Sequence, residues 1–236
     1  MRKALFFIAM LCLQLSAVAQ VDSLVVKTDS SAVRHQVLLQ TSMGDIVVEL
    51  YNDAPRHRDN FLRLVHSGYY DGNLWYRVIA DFMIQTGDST TRHAKPGAEV
   101  GDYDLGYRIP AEIDFPKYFH KRGALAAARE SDAENPNRES SASQFYIVWG
   151  FPYGPKAMAK FQARVDSITN GAVKFSQEMR DYYWSHGGTP WLDGQYTVFG
   201  EVVKGLDVVS NIQAVKTDGN DRPIEDVRIV KALVIK

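Results

Sequence analysis

The chain has 236 residues, 45% of them hydrophobic, 11% aromatic and 23% charged, which supports a substantial core and excludes disorder throughout. Lys and Arg total 27 against 28 Asp and Glu, and a formal net charge of -1 carries no electrostatic footprint for a nucleic-acid partner. The single cysteine, Cys12, excludes a disulfide framework and any cysteine-based zinc site.

Arg2 and Lys3 precede an apolar run from Ala4 to Leu13, and Ala17-Val18-Ala19 follows. A basic start, a short apolar stretch and a small-x-small end predict a secretory signal peptide cut after Ala19. The run is too short to span a bilayer, and no comparable run recurs, so no membrane span is expected. Lipoprotein anchoring on Cys12 is disfavoured because Met10 and Leu11 are bulky where such a signal uses small residues. The sequence therefore divides into a signal at 1–19, a polar N-terminal arm at 20–34 and one domain at 35–236. The expected mature product is exported, periplasmic or secreted, and free of thiols.

His35 to Gln40 and Ile46 to Tyr51 read as strands around a turn at 41–45. Asn52 or Asp53 is placed to N-cap a helix whose first turn holds Pro55, with Phe61, Leu62, Leu64 and Val65 on its apolar side and Gly68 as its stop. Leu74 to Ile79 and Phe82 to Gln85 are short strand candidates, and 87–107 is a long surface loop. Gly97, Gly101 and Gly106 lack the spacing of a nucleotide-binding motif. On propensity alone Ala124 to Ala128 reads as helix, whereas Gln144 to Val148 reads as strand. From Gly150 to Pro190 the strand rhythm breaks. Met158, Phe161, Val165 and Ile168, then Phe175, Met179 and Tyr182, fall at helical spacing, which predicts a helical insertion packed on the body. Tyr196 to Phe199 is a strand, Leu206 to Ile212 a short helix, and Val227 to Ile235 a long final strand. Many short strands with few helices favour a barrel or sandwich.

The six histidines, at 35, 57, 66, 93, 120 and 186, show no metal-ligand spacing and are read as surface or capping residues. Ser141-Ala142-Ser143 lacks a nucleophile elbow. What stands out is Arg77, set among bulky apolar residues in Trp75-Tyr76-Arg77-Val78-Ile79. Taken by itself, such an arginine reads as an edge or salt-bridged residue.

The wider segment changes that reading. Tyr76-Arg77-Val78-Ile79, Phe82-Met83-Ile84-Gln85 and Gly87-Asp88 together resemble the signature of the cyclophilin family of peptidyl-prolyl isomerases. Three further segments agree in order: Ala54-Pro55 with Asn60-Phe61 and Gly68-Tyr69-Tyr70-Asp71-Gly72, then Ser143-Gln144-Phe145-Tyr146-Ile147, then Trp191-Leu192-Asp193-Gly194 with Tyr196 and Phe199-Gly200. The resemblance implies a mainly β fold: a closed eight-stranded antiparallel barrel capped by two helices, here with an extra helical insertion at 150–190. It also implies that Ala124 to Ala128 is a strand.

The same resemblance implies Arg77 as the catalytic arginine, with Gln85 on the substrate backbone and Phe82 beside them. It implies Phe82, Met83, Phe145 and Leu192 as the proline pocket, Ala128 as a further substrate contact, and Trp191 and Tyr196 as its rim. By residue type alone, Phe82, Met83 and Phe145 suit ordinary barrel core equally well. The implied activity is cis-trans isomerisation of X-Pro bonds in exported polypeptide clients, needing neither metal nor cofactor; the alternative is a proline-peptide-binding chaperone or scaffold with little turnover. Trp191 favours a cyclosporin-like inhibitor, while Tyr196 in place of a rim histidine and Arg129 in place of a common asparagine weigh against it. Trp75-Tyr76 for Phe-His, Ala80-Asp81 for a Pro-Gly-like turn, Thr86 and Ala142 for glycines and Tyr146 for phenylalanine are further departures.

Overall fold

The structure, a computed structural model, describes residues 33–236. The expected signal at 1–19 and nearly all of the arm lie outside the described residues. Ten strands and four α-helices follow in chain order among those residues: β1 (Gln36–Thr41), β2 (Gly44–Leu50), α1 (Pro55–His66), β3 (Arg77–Ile79), β4 (Met83–Thr86), β5 (Arg108–Ile109), β6 (Ala124–Ala127), β7 (Ser140–Ser141), β8 (Phe145–Val148), α2 (Pro155–Thr169), α3 (Gln177–Ser185), β9 (Val198–Lys204), α4 (Leu206–Gln213) and β10 (Ile229–Val234). None of the described helices is long and apolar enough to cross a membrane.

Eight strands form one antiparallel sheet in the order β10-β1-β2-β9-β6-β8-β4-β3, and β5 pairs with β7 apart from it. Register shifts between Gln40 and Thr41, between Val47 and Val48, and between Leu125 and Ala126 bend the sheet into a half-barrel. The expected closed barrel is corrected here: β3 and β10 form no ladder with each other. An isolated antiparallel bridge, Leu74 opposite Arg228, crosses the gap instead: Ile229 N–H donates to the Asn73 carbonyl at 2.8 Å and Trp75 N–H to the Val227 carbonyl at 2.9 Å. Further backbone bonds run from Gly72 to Ile229 at 2.7 Å and from Val78 to Asp221 at 2.8 Å. Their register is not constant because residues 222–226 loop away, pinned by the buried Arg222 on the carbonyls of Lys95 and Ala98.

The concave face holds the main core, where Ile84, Leu125 and Ile147 meet Phe61 and Val65 of α1 and Val209 and Ile212 of α4. Successive strand residues point to opposite faces, so the convex face carries a second cluster around Met83, Ala124, Ala126, Tyr146 and Val148. Ala124–Ala127 is a strand, as the resemblance implied and against helix propensity. Four buried positions on a central strand outweigh an intrinsic preference of a few tenths of a kcal/mol per residue.

Two other expectations change locally. The N-cap of α1 is Ala54, with no side-chain cap, rather than Asn52 or Asp53. The first free N–H groups bond to a distant carboxylate instead: Glu112 accepts from the backbone of Arg56 at 3.1 Å and of His57 at 3.0 Å. The loop at 87–107 contains a 3-10 turn, Ser89–His93, capped by Asp88. The insertion is helical, and its apolar residues Met158, Val165, Phe175 and Met179 are buried in a small core of their own, packed against Phe115 and Phe119.

Candidate active site

Strand register alone assembles most of the site. Arg77 of β3 stands opposite Gln85 of β4, Gln85 stands opposite Tyr146 of β8, and Tyr146 stands opposite Ala126 of β6. Cross-strand partners share a face, so this row lies on the convex side of the sheet. Phe82 leads into β4, and Leu192 and Tyr196 arrive from the turn before β9, walling a cleft of about 170 Å³. Arg77, Met83, Ala128 and Arg129 complete its lining with Gln85 and Tyr146.

The arginine is held at both ends of its guanidinium. Arg77 Nη1 donates to Gln85 Oε1 at 3.2 Å, and Arg77 Nε lies 3.6 Å from Asp221 Oδ2. Its side chain is 40% exposed, so one edge of a permanently charged group faces the cleft and solvent. Gln85 is fixed in turn: its Nε2 donates to the Tyr76 hydroxyl at 2.6 Å, and that hydroxyl donates to Gln144 Oε1 at 2.5 Å. Gln144 Nε2 then donates to the carbonyls of Gly101 and Tyr103. Burial, above all, pushes the Tyr76 phenol well above its ordinary value, so it remains a donor. The close approach of β4 to the segment before β8 depends on Gly87, at φ +109°, where a Cβ would stand 2.1 Å from the Ser143 carbonyl oxygen.

Of the residues singled out from sequence, Arg77, Gln85, Phe82, Met83, Ala128, Leu192 and Tyr196 line this one cleft. Two do not. Phe145 is 1% exposed in the concave core, with ring centroids 5.2 Å from Phe61, 5.3 Å from Tyr70 and 5.9 Å from Trp75. Its neighbour Tyr146 takes the place in the cleft expected of it, because adjacent residues of β8 face opposite ways. Met83 and Gln85 share Tyr146's face, so a two-residue period carried from β4 to β8 was the signal that pointed to it. Trp191 stands behind the cleft wall, 5.7 Å from the Phe82 ring, and is flanked by Phe161 at 5.4 Å and Tyr153 at 5.8 Å.

The sequence reading also missed Tyr76 and Gln144 as partners of Gln85, and read His57 and His120 as surface or capping residues. Both histidines are buried, at 2% and 1% exposure. His57 bridges Glu112 at 2.6 Å and Ser140 at 2.8 Å, and His120 bridges Asp193 at 2.9 Å and Tyr146 at 3.0 Å. Neither has a local sequence signal, because every side-chain partner is 26 or more residues away.

At the other end of the cleft, Arg129 lies with its guanidinium 4.4 Å over the Tyr196 ring and donates to the Gln195 carbonyl at 2.9 Å. Past Gln85, Ala128 and Arg129 the surface dips again into a polar hollow of about 260 Å³ with Gln144 on its wall. The arrangement offers a slot with a fixed guanidinium at each end, Arg77 and Arg129, and amide groups alongside.

Comparison with known proteins points the same way. The model of the family described as cyclophilin type peptidyl-prolyl cis-trans isomerase/CLD matches residues 36–234. A peptidyl-prolyl cis-trans isomerase of Schizosaccharomyces pombe is 33% identical over 200 residues, covering 84% of this chain and 98% of its own. One from Dictyostelium discoideum is 34% identical over 197 residues, covering 83% of this chain and 95% of its own. A crystal structure of a Cryptosporidium parvum cyclophilin type isomerase, determined in the presence of the dipeptide Ala-Pro, superposes with a TM-score of 0.59 at 25% identity, covering 85% of this chain and 99% of that one. With nearly the whole domain matched by the family model and by relatives of similar length, the chain belongs to the cyclophilin-type peptidyl-prolyl cis-trans isomerases.

Proposed function

We propose that this isomerase acts on X-Pro bonds of exported polypeptides, and that Arg77 is the residue that lowers the rotational barrier. Rotation about the amide costs about 18–20 kcal/mol because twisting removes the C–N resonance. The two end states differ by only about 0.5–1 kcal/mol, so the catalyst has only to stabilise the twisted form. Uncatalysed exchange takes on the order of 10–100 s, slow enough to limit folding.

In the twisted amide the proline nitrogen becomes pyramidal and regains its lone pair. A guanidinium N–H can donate to that lone pair, whereas the planar ground state offers it none. This is binding of the transition state in preference to the substrate. The supporting observation is the double tether of Arg77 by Gln85 and Asp221 at the edge of the apolar cleft. A preorganised charge needs no reorganisation as the bond twists. Phe82, Met83, Tyr146 and Leu192 would hold the proline ring, while Gln85 and the adjoining hollow would hold the preceding chain. One side of the bond is then fixed and the other turns. A proline-containing ligand suits this slot, as the Ala-Pro dipeptide used with the Cryptosporidium parvum relative suits that protein.

Export rests on the signal-like residues 1–19, and a cyclosporin-like macrocycle is the inhibitor class that Trp191 suggests through the family resemblance, although its ring backs the cleft wall instead of forming the rim. A protease-coupled isomerisation assay on the mature chain tests the central reading. Arg77→Ala is expected to keep the fold and to lose about 10²–10³-fold in kcat/KM. A folded Arg77→Ala protein with full activity would sink the mechanism, and a wild-type protein that binds the peptide without turnover would favour a binding role.

A further inference from the structure

None of the residues lining the proline cleft comes from α2 or α3, yet two sets of contacts run from the insertion to the cleft walls. The first is polar and almost fully buried. Tyr183 of α3 is 0% exposed, and its hydroxyl donates to Asp193 Oδ2 at 2.6 Å. Asp193, also 0% exposed, accepts on Oδ1 from the His120 backbone N–H at 2.7 Å and from His120 Nδ1 at 2.9 Å. His120 Nε2 then lies 3.0 Å from the hydroxyl of Tyr146, the residue whose ring faces the cleft.

The Tyr183 hydroxyl, the His120 backbone N–H and His120 Nδ1 all converge on the Asp193 carboxyl, and His120 Nε2 shares a hydrogen bond with the Tyr146 hydroxyl. Burial, with smaller contributions from Tyr196 and Asp193, holds the Tyr146 phenol well above its ordinary value. Burial and then Asp193 do the same for Tyr183, so both hydroxyls keep their protons. Backbone geometry makes room for the array. At Gly188, with φ +142°, a Cβ would sit 2.5 Å from the His120 carbonyl oxygen and 2.6 Å from Tyr183 Cε1. Asp193 also belongs to the turn that carries Leu192 and Tyr196 into the cleft wall, so its position sets wall and floor together.

The second set is apolar. Phe161 and Tyr153 press on Trp191, and Trp191 presses on Phe82.

We propose that the helical insertion is a positioning element for the proline cleft, and that Tyr183 is its principal positioning residue, acting through Asp193 and His120 to fix the Tyr146 ring against which the proline packs. The proposal rests on the Arg77 cleft being the proline site. It makes the insertion part of the catalytic architecture, although no atom of Tyr183 meets the substrate. Losing one donor leaves a buried carboxylate under-satisfied, and the turn relaxes toward a new partner. The effect belongs on substrate affinity, because the cleft floor is used alike by the ground and transition states.

A double-mutant cycle on the mature chain decides the matter, with KM and kcat measured separately on a chromogenic X-Pro peptide. Tyr183→Phe is expected to raise KM roughly three- to tenfold with kcat little changed. In a Tyr146→Phe background the same substitution should raise KM clearly less than in the wild type, leaving only what the Leu192–Tyr196 turn contributes, since the link through the Tyr146 hydroxyl is already cut. His120→Asn, whose amide can still donate to Asp193 but falls short of Tyr146, is the second arm and should raise KM to a similar level. If both Tyr183→Phe and His120→Asn lower thermal stability and leave KM unchanged, the insertion is only a structural addition and the proposal fails. An equal rise in KM in both backgrounds would overturn the route through Tyr146. Arg77→Ala run alongside separates the two ideas: if it abolishes turnover while the cycle is silent, only the positioning role is lost. Full activity in Arg77→Ala would remove the proline-site reading itself.

Discussion

Tyr76 shows how one departure from the family pattern is absorbed by the site. Its hydroxyl accepts from Gln85 and donates to Gln144, so it fixes which end of the Gln85 amide faces Arg77. Without it, Gln85 Nε2 is left with Gln144 Oε1 at 3.3 Å, and the amide can turn its NH2 toward the guanidinium. Tyr76→Phe is therefore expected to lower kcat/KM roughly three- to tenfold, well short of the Arg77→Ala loss; wild-type steady-state kinetics in that variant would contradict the role. At this scale the sequence was legible wherever a residue's place in the cleft follows from a local motif, as with Arg77, Phe82-Met83 and Gln85. It was not legible where function depends on which face a strand residue takes. Phe145 and Tyr146 are both aromatic and adjacent, and only the register with β4 sends Tyr146 to the cleft. Nor was it legible for His120, whose partners Tyr146 and Asp193 lie 26 and 73 residues away.

Among the elements, α1 gives the sharpest contrast between local signal and tertiary outcome. Its Pro55 start and its apolar face were readable, but its cap comes from Glu112, 55 residues downstream of His57. Burial pushes the Glu112 carboxyl up, and hydrogen bonds from the His57 ring and from the His57 and Arg56 backbones outweigh it, leaving the group below its ordinary value. A carboxyl depressed in the folded state stabilises the fold fully above its unfolded value of about 4.3, and that contribution fades as pH falls through the folded value. Glu112→Gln is thus expected to cost about 1–3 kcal/mol at neutral pH. Denaturant titrations should show the gap between wild type and variant closing once the pH falls below about 4. A gap that stays constant down to strongly acidic pH would contradict the charged cap. The alanine strand β6 teaches the same lesson: all four of its residues are buried between β8 and β9, and only a four-segment pattern, not propensity, identified it. The insertion's two helices were readable from spacing, but the stripes shift from the expected ones: Ile168 is exposed, and Tyr183 is buried where Tyr182 was expected.

For the whole molecule, the half-barrel presents the Arg77-Gln85-Tyr146 row on its convex side, with α1 and α4 filling the concave core and the insertion packed beside the cleft walls. Order and type of most elements followed from alternation and turn residues. Closure did not: residues 222–226 loop away before the last strand, with Arg222 buried on the carbonyls of Lys95 and Ala98, and β3 and β10 form no ladder. Export makes a separate expectation: N-terminal sequencing of protein recovered from the extracytoplasmic fraction of a secreting host should begin at Gln20, and an intact Met1 terminus there would contradict it. The central claim is that one tethered guanidinium stabilises the twisted amide. Exchange spectroscopy on a saturating X-Pro peptide measures that step directly, since it reads cis-trans interconversion of the bound ligand apart from affinity. With wild-type protein, interconversion should be fast on the seconds scale; with Arg77→Ala, the peptide should still bind while its exchange falls toward the uncatalysed rate. Exchange as fast in Arg77→Ala as in wild type would contradict the account.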